Sequence, residues 1–241
     1  MNKFWFTIAA ACILTTMRVA SAQDPNPIEL AADALGAGGL TSIQFTAHSE
    51  SQTYQATLNY ETMSSRLDLV HDGLTEFVSG SYAWNVFWSI DPNSPKTEPL
   101  PSAVAERTLQ IWLTPHGFLK AASTHTATTK RLPQGTEVSM TVRGRHKLTG
   151  LINTQHQVER VQARLRNPAL GDQVFEANYA EYLKVDGILF PMRITRRRDG
   201  DASLELRVDS VKPNAPALIV VPEIVRQSAR QEAAAEGFAG R

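Results

Sequence analysis

The feature that most constrains this chain is a hydrophobic period of two. Ile43, Phe45 and Ala47 alternate with polar neighbours, as do Tyr54, Ala56, Leu58 and Tyr60, then Leu67 and Leu69, then Tyr82, Trp84, Val86 and Trp88. After an interruption the pattern returns in Val138/Met140/Val142, Leu148/Gly150/Ile152, Val161/Ala163/Leu165, Phe175/Ala177/Tyr179, Ile188/Phe190/Met192/Ile194 and Leu204/Leu206/Val208. Successive side chains of a strand point to opposite faces, so each run describes a half-buried strand, about ten in all. Links as short as Asp186-Gly187 and Asp199-Gly200 make hairpins. Parallel strands would need crossover helices and would read as unbroken apolar runs. The expectation is therefore one antiparallel meander with a wet and a greasy face, and a sheet this wide curls toward a barrel.

Two kinds of segment interrupt the alternation. Asn26 as N-cap, Pro27 in the first turn, Glu29 three residues after the cap and Gly36 as a stop mark a short helix, with Ile28, Ala31, Ala32 and Leu35 on one face. In the middle, residues 92–101 read as a proline-containing loop. Residues 102–114 follow with Ala105, Leu109, Trp112 and Leu113 at helical spacing, and a second helical stretch spans 117–123 after a break at Pro115-His116-Gly117. The apolar faces of these helices belong against the concave side of the curled sheet. The expected fold class is α+β: a single antiparallel sheet curled into an incomplete β-barrel, with helices covering the concave face. Residues 223–241 are rich in alanine and charge without a clear apolar stripe and read as a frayed helix or disordered tail.

The first 22 residues belong to another stage of the protein's life. Lys3, an uncharged and mostly apolar stretch over 4–17, and Ala20-Ser21-Ala22 have the layout of a secretory signal peptide. The apolar run is too short for a membrane span and Arg18 closes it. The expected organisation is a signal peptide over 1–22, the sheet domain over 23–222 and the tail over 223–241, with periplasmic or secreted localisation. The only cysteine, Cys12, falls in the signal segment, so the mature chain would hold neither a disulfide nor a thiol nucleophile. With 24 basic and 24 acidic side chains, the chain lacks the positive charge that binding to nucleic acid by phosphate neutralisation requires.

Catalytic signatures are absent from the sequence. The histidines at 48, 71, 116, 125, 146 and 156 have no H-x-H, H-E-x-x-H or H-x-x-E-H spacing, and read as solvated or capping residues. There is no G-x-S-x-G elbow and no S-x-x-K. The glycine-rich Leu35-Gly36-Ala37-Gly38-Gly39 lacks a G-K-[ST] ending and follows a helix, so it reads as a helix stop and turn. Arg193, Arg196, Arg197 and Arg198 are followed at once by Asp199 and Asp201, as in a charged hairpin end, and Glu205, Arg207 and Asp209 read as a solvated sheet face with cross-strand ion pairs. No catalytic residue, metal or cofactor is assigned.

What remains is an excess of large apolar side chains: Trp84, Phe87 and Trp88 on one strand, Trp112 and Phe118 on the central helices, Phe190 and Met192 on a late strand. They either pack a core or, where the curled sheet is incompletely filled, line a groove for an apolar ligand. Each buried methylene contributes about 0.8 kcal/mol, so a twelve-carbon chain gains roughly 10 kcal/mol before ordering costs of several kcal/mol, enough for affinity on the order of micromolar or weaker. The leading expectation is a non-enzymatic exported protein that binds a hydrophobic small molecule or lipid.

Several blocks also carry a family likeness. Ala31-Ala32-Asp33-Ala34-Leu35-Gly36 with Ser42-Ile43-Gln44-Phe45, Tyr60-Glu61-Thr62-Met63-Ser64-Ser65-Arg66, Gln110-Ile111-Trp112-Leu113-Thr114-Pro115-His116-Gly117-Phe118-Leu119-Lys120, and Asn167-Pro168-Ala169-Leu170-Gly171-Asp172 resemble the region preceding the catalytic domain in exported bacterial metallo-β-lactamase-fold hydrolases. The resemblance spans most of residues 28–226 and implies an accessory or interaction module with a hydrolase partner. Those hydrolases hold zinc with H-x-H-x-D-H, which this sequence does not contain, so zinc chemistry is not carried over. A shorter likeness, Gly187-Ile188-Leu189-Phe190-Pro191, resembles the late strand of LolA-like periplasmic lipoprotein carriers. It implies a half-open barrel lidded by helices that binds acyl chains, and a shared fold does not by itself establish function.

Overall fold

The computed structural model describes residues 25–88, 94–144, 146–167 and 171–239. The expected signal peptide lies outside them, as do residues 92 and 93 of the expected loop and Pro168, Ala169 and Leu170 of the last resemblance block.

Helix α1 (Pro27–Leu35) opens the described chain and is capped as its sequence predicts. The Asn26 side chain accepts from the Ile28 backbone N–H at 3.0 Å and donates to Glu29 at 3.2 Å, and Gly36 ends the helix in the left-handed region at φ 68°. Strands β1 (Ser42–His48), β2 (Thr53–Asn59), β3 (Ser64–Leu69), β4 (Leu74–Ser79), β5 (Tyr82–Phe87) and β6 (Lys96–Pro99) follow. A 3-10 turn (Pro101–Ala103) leads into α2 (Val104–Leu113) and α3 (Pro115–Thr124). Then come β7 (Ala127–Leu132), β8 (Gly135–Val142), β9 (His146–Asn153), β10 (Val158–Asn167), β11 (Gly171–Val185), β12 (Ile188–Arg198) and β13 (Asp201–Pro213), before α4 (Glu223–Ala239).

All thirteen described strands form one antiparallel sheet in the order β6-β5-β4-β3-β2-β1-β13-β12-β11-β10-β9-β8-β7. Every neighbour is a sequence neighbour except β1 and β13, which join two meanders along a register running from Ile43↔Pro213 to His48↔Arg207. The expected hairpins at Asp186-Gly187 and Asp199-Gly200 have positive φ at both central residues (44° and 88°, 54° and 95°), the type I′ geometry.

The topology also explains the curl. Laid flat, the two edge strands β6 and β7 would stand about 58 Å apart. The connection between them supplies only about 30 Å of helix, and α2 and α3 fold against each other. The sheet must bend around this connector, and α2 accordingly touches β3, β4 and β5 on one half and β10 on the other, while α3 touches β8 and β10. The fold is α+β, a single open antiparallel sheet curled into an incomplete barrel. Into the hollow project Ile43, Phe45, Leu148, Val161, Phe190 and Leu206 from the sheet, Leu35 from α1, and Leu109, Ile111, Phe118 and Leu119 from α2 and α3.

Two sequence readings change, and a third, left between two states, takes one of them. Pro115-His116-Gly117 is the first turn of α3, with Thr114 as its N-cap, because the Thr114 hydroxyl accepts from the Gly117 N–H at 3.1 Å and donates to Ile111 O at 2.7 Å. The stretch read as a plain loop before the central helices contains β6. The C-terminal segment is ordered into α4, of whose two expected states, frayed helix or disorder, the structure shows a helix with Val225 buried against Trp84 and Val86.

Candidate functional site

The seven aromatic and methionine residues singled out by sequence separate into four places. Phe118, Phe190 and Met192 belong to the main core: Phe118 is fully buried, Phe190 lies 5.4 Å from the Phe45 ring and 5.9 Å from the His116 ring, and Met192 packs half-buried against the same cluster. Trp84 and Trp88 are on the other side of the sheet. On β5 it is Ala83, opposite Val78 of the core, that faces inward; Trp84 stacks on its cross-strand partner Phe77 at 4.8 Å beneath Ile219, Val221 and Val225. Trp88 donates from its indole to the Thr75 hydroxyl at 2.9 Å and remains 40% exposed. The expectation that these two tryptophans line the hollow is corrected: alternation establishes which residues share a face, and here that face is the convex one, greased locally and strapped by the C-terminal segment. Phe87 pairs with Leu74 at the far end of β5, half-buried and away from the cleft described next.

Trp112 is the one of the seven that lines an opening into the hollow. Where α1 and α3 meet the β2–β3 turn, they leave a cleft of about 490 Å³. Its large walls are Trp112, Tyr60, Met63 and Leu119, and small residues make the room: Ala32 on α1, Ala37 and Gly38 just beyond it, and Gly117 and Ala121 on α3. Lys120 and His125 stand at its polar side. Gly117 is small by necessity, since a Cβ there would come within 2.1 Å of Ile111 O at the α2–α3 corner. Sequence reasoning placed Tyr60 on a strand and Gly38 in a turn without connecting them to a site. The available signal was the small residues Gly117 and Ala121, one helical turn apart on the same helix.

The corner beneath the cleft is held by buried polar groups. Tyr60 and Thr114 share a hydroxyl hydrogen bond at 3.3 Å, and the Tyr179 hydroxyl donates to Leu113 O. Burial pushes both phenols well above their ordinary range, so they remain protonated donors. His116, read from sequence as solvated or capping, is buried completely: its Nε2 lies 3.2 Å from Leu35 O, the C-terminal end of α1, and Nδ1 has no partner among the described residues. Burial lowers its pKa to about 4, with the hydrogen bond to Leu35 opposing and the Lys120 charge adding to the shift. It is a neutral tie between α1 and α3. Among the described residues no group of three or more His, Cys, Asp or Glu side chains converges as a metal site. None of the described helices is long and apolar enough to cross a membrane.

Other hollows have a different character. A depression of about 510 Å³ at the β1–β2 turn is bordered by His48, Glu50 and Arg207, with His48 paired to Asp209 at 2.8 Å. A larger one of about 680 Å³ along β7–β9 is a shallow surface of threonines, serine and Lys147. The arginine cluster is engaged as a charged hairpin: Arg193 pairs with Glu181 at 2.9 Å, and Arg198 lies over the Phe175 ring at 5.0 Å and bonds Gln173 at 2.8 Å. The α1–α3 cleft combines depth with apolar walls, and it is the candidate site.

No family model matches the chain, and no curated protein sequence does either. The resemblance to the region preceding metallo-β-lactamase-fold hydrolase domains, and the hydrolase partner it implied, therefore gain no support. Among solved structures, the chain is similar to a LolA superfamily protein from Nitrosomonas europaea, with 12% identity, 83% of this chain and 94% of that chain covered, and a TM-score of 0.43. It is similar to a domain from Vibrio parahaemolyticus named for outer membrane lipoprotein sorting, with 9% identity, 85% and 99% coverage and a TM-score of 0.48. It is also similar to an uncharacterized conserved protein from Thermus thermophilus, with 11% identity, 83% and 93% coverage and a TM-score of 0.33. At such low identities and scores, what the site does has to be worked out from this chain's own residues.

Proposed function

We infer that this chain is a non-enzymatic, exported protein of the periplasm or the extracellular space that binds a hydrophobic or lipid-like ligand in the cleft between α1, α3 and the β2–β3 turn. The observation that carries the reading is the cleft itself: about 490 Å³, walled by Trp112, Tyr60, Met63 and Leu119 and floored by small residues, beside a core of buried side chains. Its size falls within the roughly 300–1,000 Å³ common for small-molecule sites. Export rests on the signal-peptide layout of residues 1–22. Of the seven residues expected to bind ligand, Trp112 is retained, and the aliphatic and aromatic lining around it replaces the other six.

Native mass spectrometry of protein purified from its source, together with titration of a fluorescent fatty acid, tests the reading. A bound apolar ligand at one per chain, displaced by the probe, is expected. A ligand-free spectrum with no uptake of the probe overturns it, and a stoichiometric protein partner in its place would favour an interaction module.

A further inference from the structure

We propose that the cleft takes an anionic amphiphile, with the alkyl chain against Trp112 and Met63 and a carboxylate or phosphate head at the Lys120 ammonium. This rests on the apolar-ligand reading above and names the ligand class for the same site. The cleft is asymmetric in charge: Lys120 and His125 line it, and neither an aspartate nor a glutamate does. Several basic side chains elsewhere have acidic partners, as in Arg66 with Asp68 at 2.9 Å and Arg193 with Glu181 at 2.9 Å. Lys120 is half-buried on α3, and among the described residues no carboxylate lies within ion-pair distance of it.

The neighbouring hydroxyls are already committed. Ser123 donates to Leu119 O at 3.0 Å, Thr124 to Lys120 O at 3.0 Å, and His125 Nδ1 lies 3.0 Å from Ala121 O, so the Lys120 ammonium, beside the outer edge of the His125 ring, faces a ligand at this rim. A lysine stem lies comfortably along apolar surface while its head seeks a polar partner. An ammonium partly withdrawn from water beside an apolar cleft, without a counter-ion, gains most from a ligand that brings both the alkyl chain and the negative charge. A neutral or cationic amphiphile would fill the walls and leave that charge unmatched.

Titration of the purified protein with dodecanoate, dodecyl phosphate, dodecanol and dodecylammonium, each below its micelle concentration, separates the contributions. The two anions are expected to bind about tenfold more tightly than dodecanol, with dodecylammonium weakest and the advantage shrinking as salt is raised. Whichever anion binds better assigns the head as carboxylate or phosphate. Lys120→Met is expected to abolish the preference, so that within this variant the two anions bind no more tightly than dodecanol, and Lys120→Arg to restore the difference. Equal affinities for anion and alcohol in the unaltered protein, or an undiminished preference in Lys120→Met, overturn the head-group assignment while leaving the apolar cleft standing. Failure of all four to bind removes the cleft reading together with it.

Discussion

Phe118 lies so close over Gly150 that a Cβ on Gly150 would stand 2.4 Å from the ring's Cζ and 2.5 Å from Cε1. The contact presses α3 onto β9 and fills the hollow at that end, which is why the cleft opens on the α1 side of α3. Phe118 is completely buried and cannot swing away without displacing its neighbours. Gly150→Ala should therefore cost about 1–3 kcal/mol as an overpacking substitution. Urea unfolding would register this as a lower midpoint at unchanged slope, and an unchanged midpoint would mean that α3 is free to lift off β9.

The parts of the fold that were legible in sequence are those where one face is wet. Strands β1, β2 and β13 alternate because their convex sides carry Gln44, Thr46, Thr57 and Lys212 in solvent, and the apolar set then reveals itself by spacing. The missed strands lack that contrast for two different reasons. Strands β6 and β7 are the edges of the sheet and are nearly all polar, Lys96-Thr97-Glu98-Pro99 and Ala127-Thr128-Thr129-Lys130-Arg131-Leu132, a composition that discourages edge pairing and hides the strand from a periodicity search. Strand β4 is covered on both sides, Val78 by the core and Phe77 by the C-terminal strap, so its apolar residues are adjacent instead of alternating. The same strap misdirects the reading of Trp84. Residues 215–217 cross the convex face on hydrogen bonds from Ser42 (2.6 Å), Gln44 (2.9 Å) and Asn59 (3.3 Å), and Ile219, Val221 and Val225 then cover the ring. A second greasy face made by a segment more than a hundred residues distant leaves no local signal. The cleft was illegible for a similar reason, since its walls come from α1, the β2–β3 turn, α2 and α3.

Stability should fall in mild acid through His116. Its folded-state pKa, lowered to about 4 by burial, lies below the 6.5 of an exposed imidazole, so the unfolded chain binds the extra proton between those values. The contribution is complete above pH 6.5, declines as the pH drops toward 4, and changes no further below it. Its full size is on the order of 3 kcal/mol. Chemical unfolding at several pH values between 7 and 4 should show this slope in the unaltered protein and a shallower one in His116→Gln, whose side chain does not titrate. Parallel slopes in the two proteins would place the acid sensitivity elsewhere.

Arg107 ties α2 to the first meander. Its side chain is 8% exposed and reaches Glu76 at 3.1 Å, the Phe77 and Trp84 carbonyls at 3.0 Å each, and Asn85 at 2.7 Å. Removing it leaves a partly buried carboxylate and two carbonyls without their donor, so Arg107→Met should cost about 3 kcal/mol. Adding Glu76→Gln neutralises the abandoned carboxylate and should return part of the loss. A double-mutant cycle by urea unfolding would measure the coupling, and strict additivity of the two substitutions would show that the pair does not act as a unit.

Gly38 offers a way to close the cleft without touching the core. It lines the opening beyond the end of α1, its φ is outside the left-handed region, and a Cβ built on it meets nothing within 4 Å. A phenylalanine there can turn into the space between Tyr60, Met63 and Lys120 at little cost to folding, within about 0.5 kcal/mol as for other exposed positions. Gly38→Phe should therefore keep the thermal midpoint of the unaltered protein and lose affinity for a twelve-carbon ligand by more than about tenfold, since each methylene denied burial forfeits roughly 0.8 kcal/mol. Titration of the fluorescent fatty acid reads the result. Full affinity in a protein whose cleft is blocked would place the apolar ligand elsewhere on the molecule, with the exposed Leu218, Val220 and Ile224 of the C-terminal segment the next surface to examine.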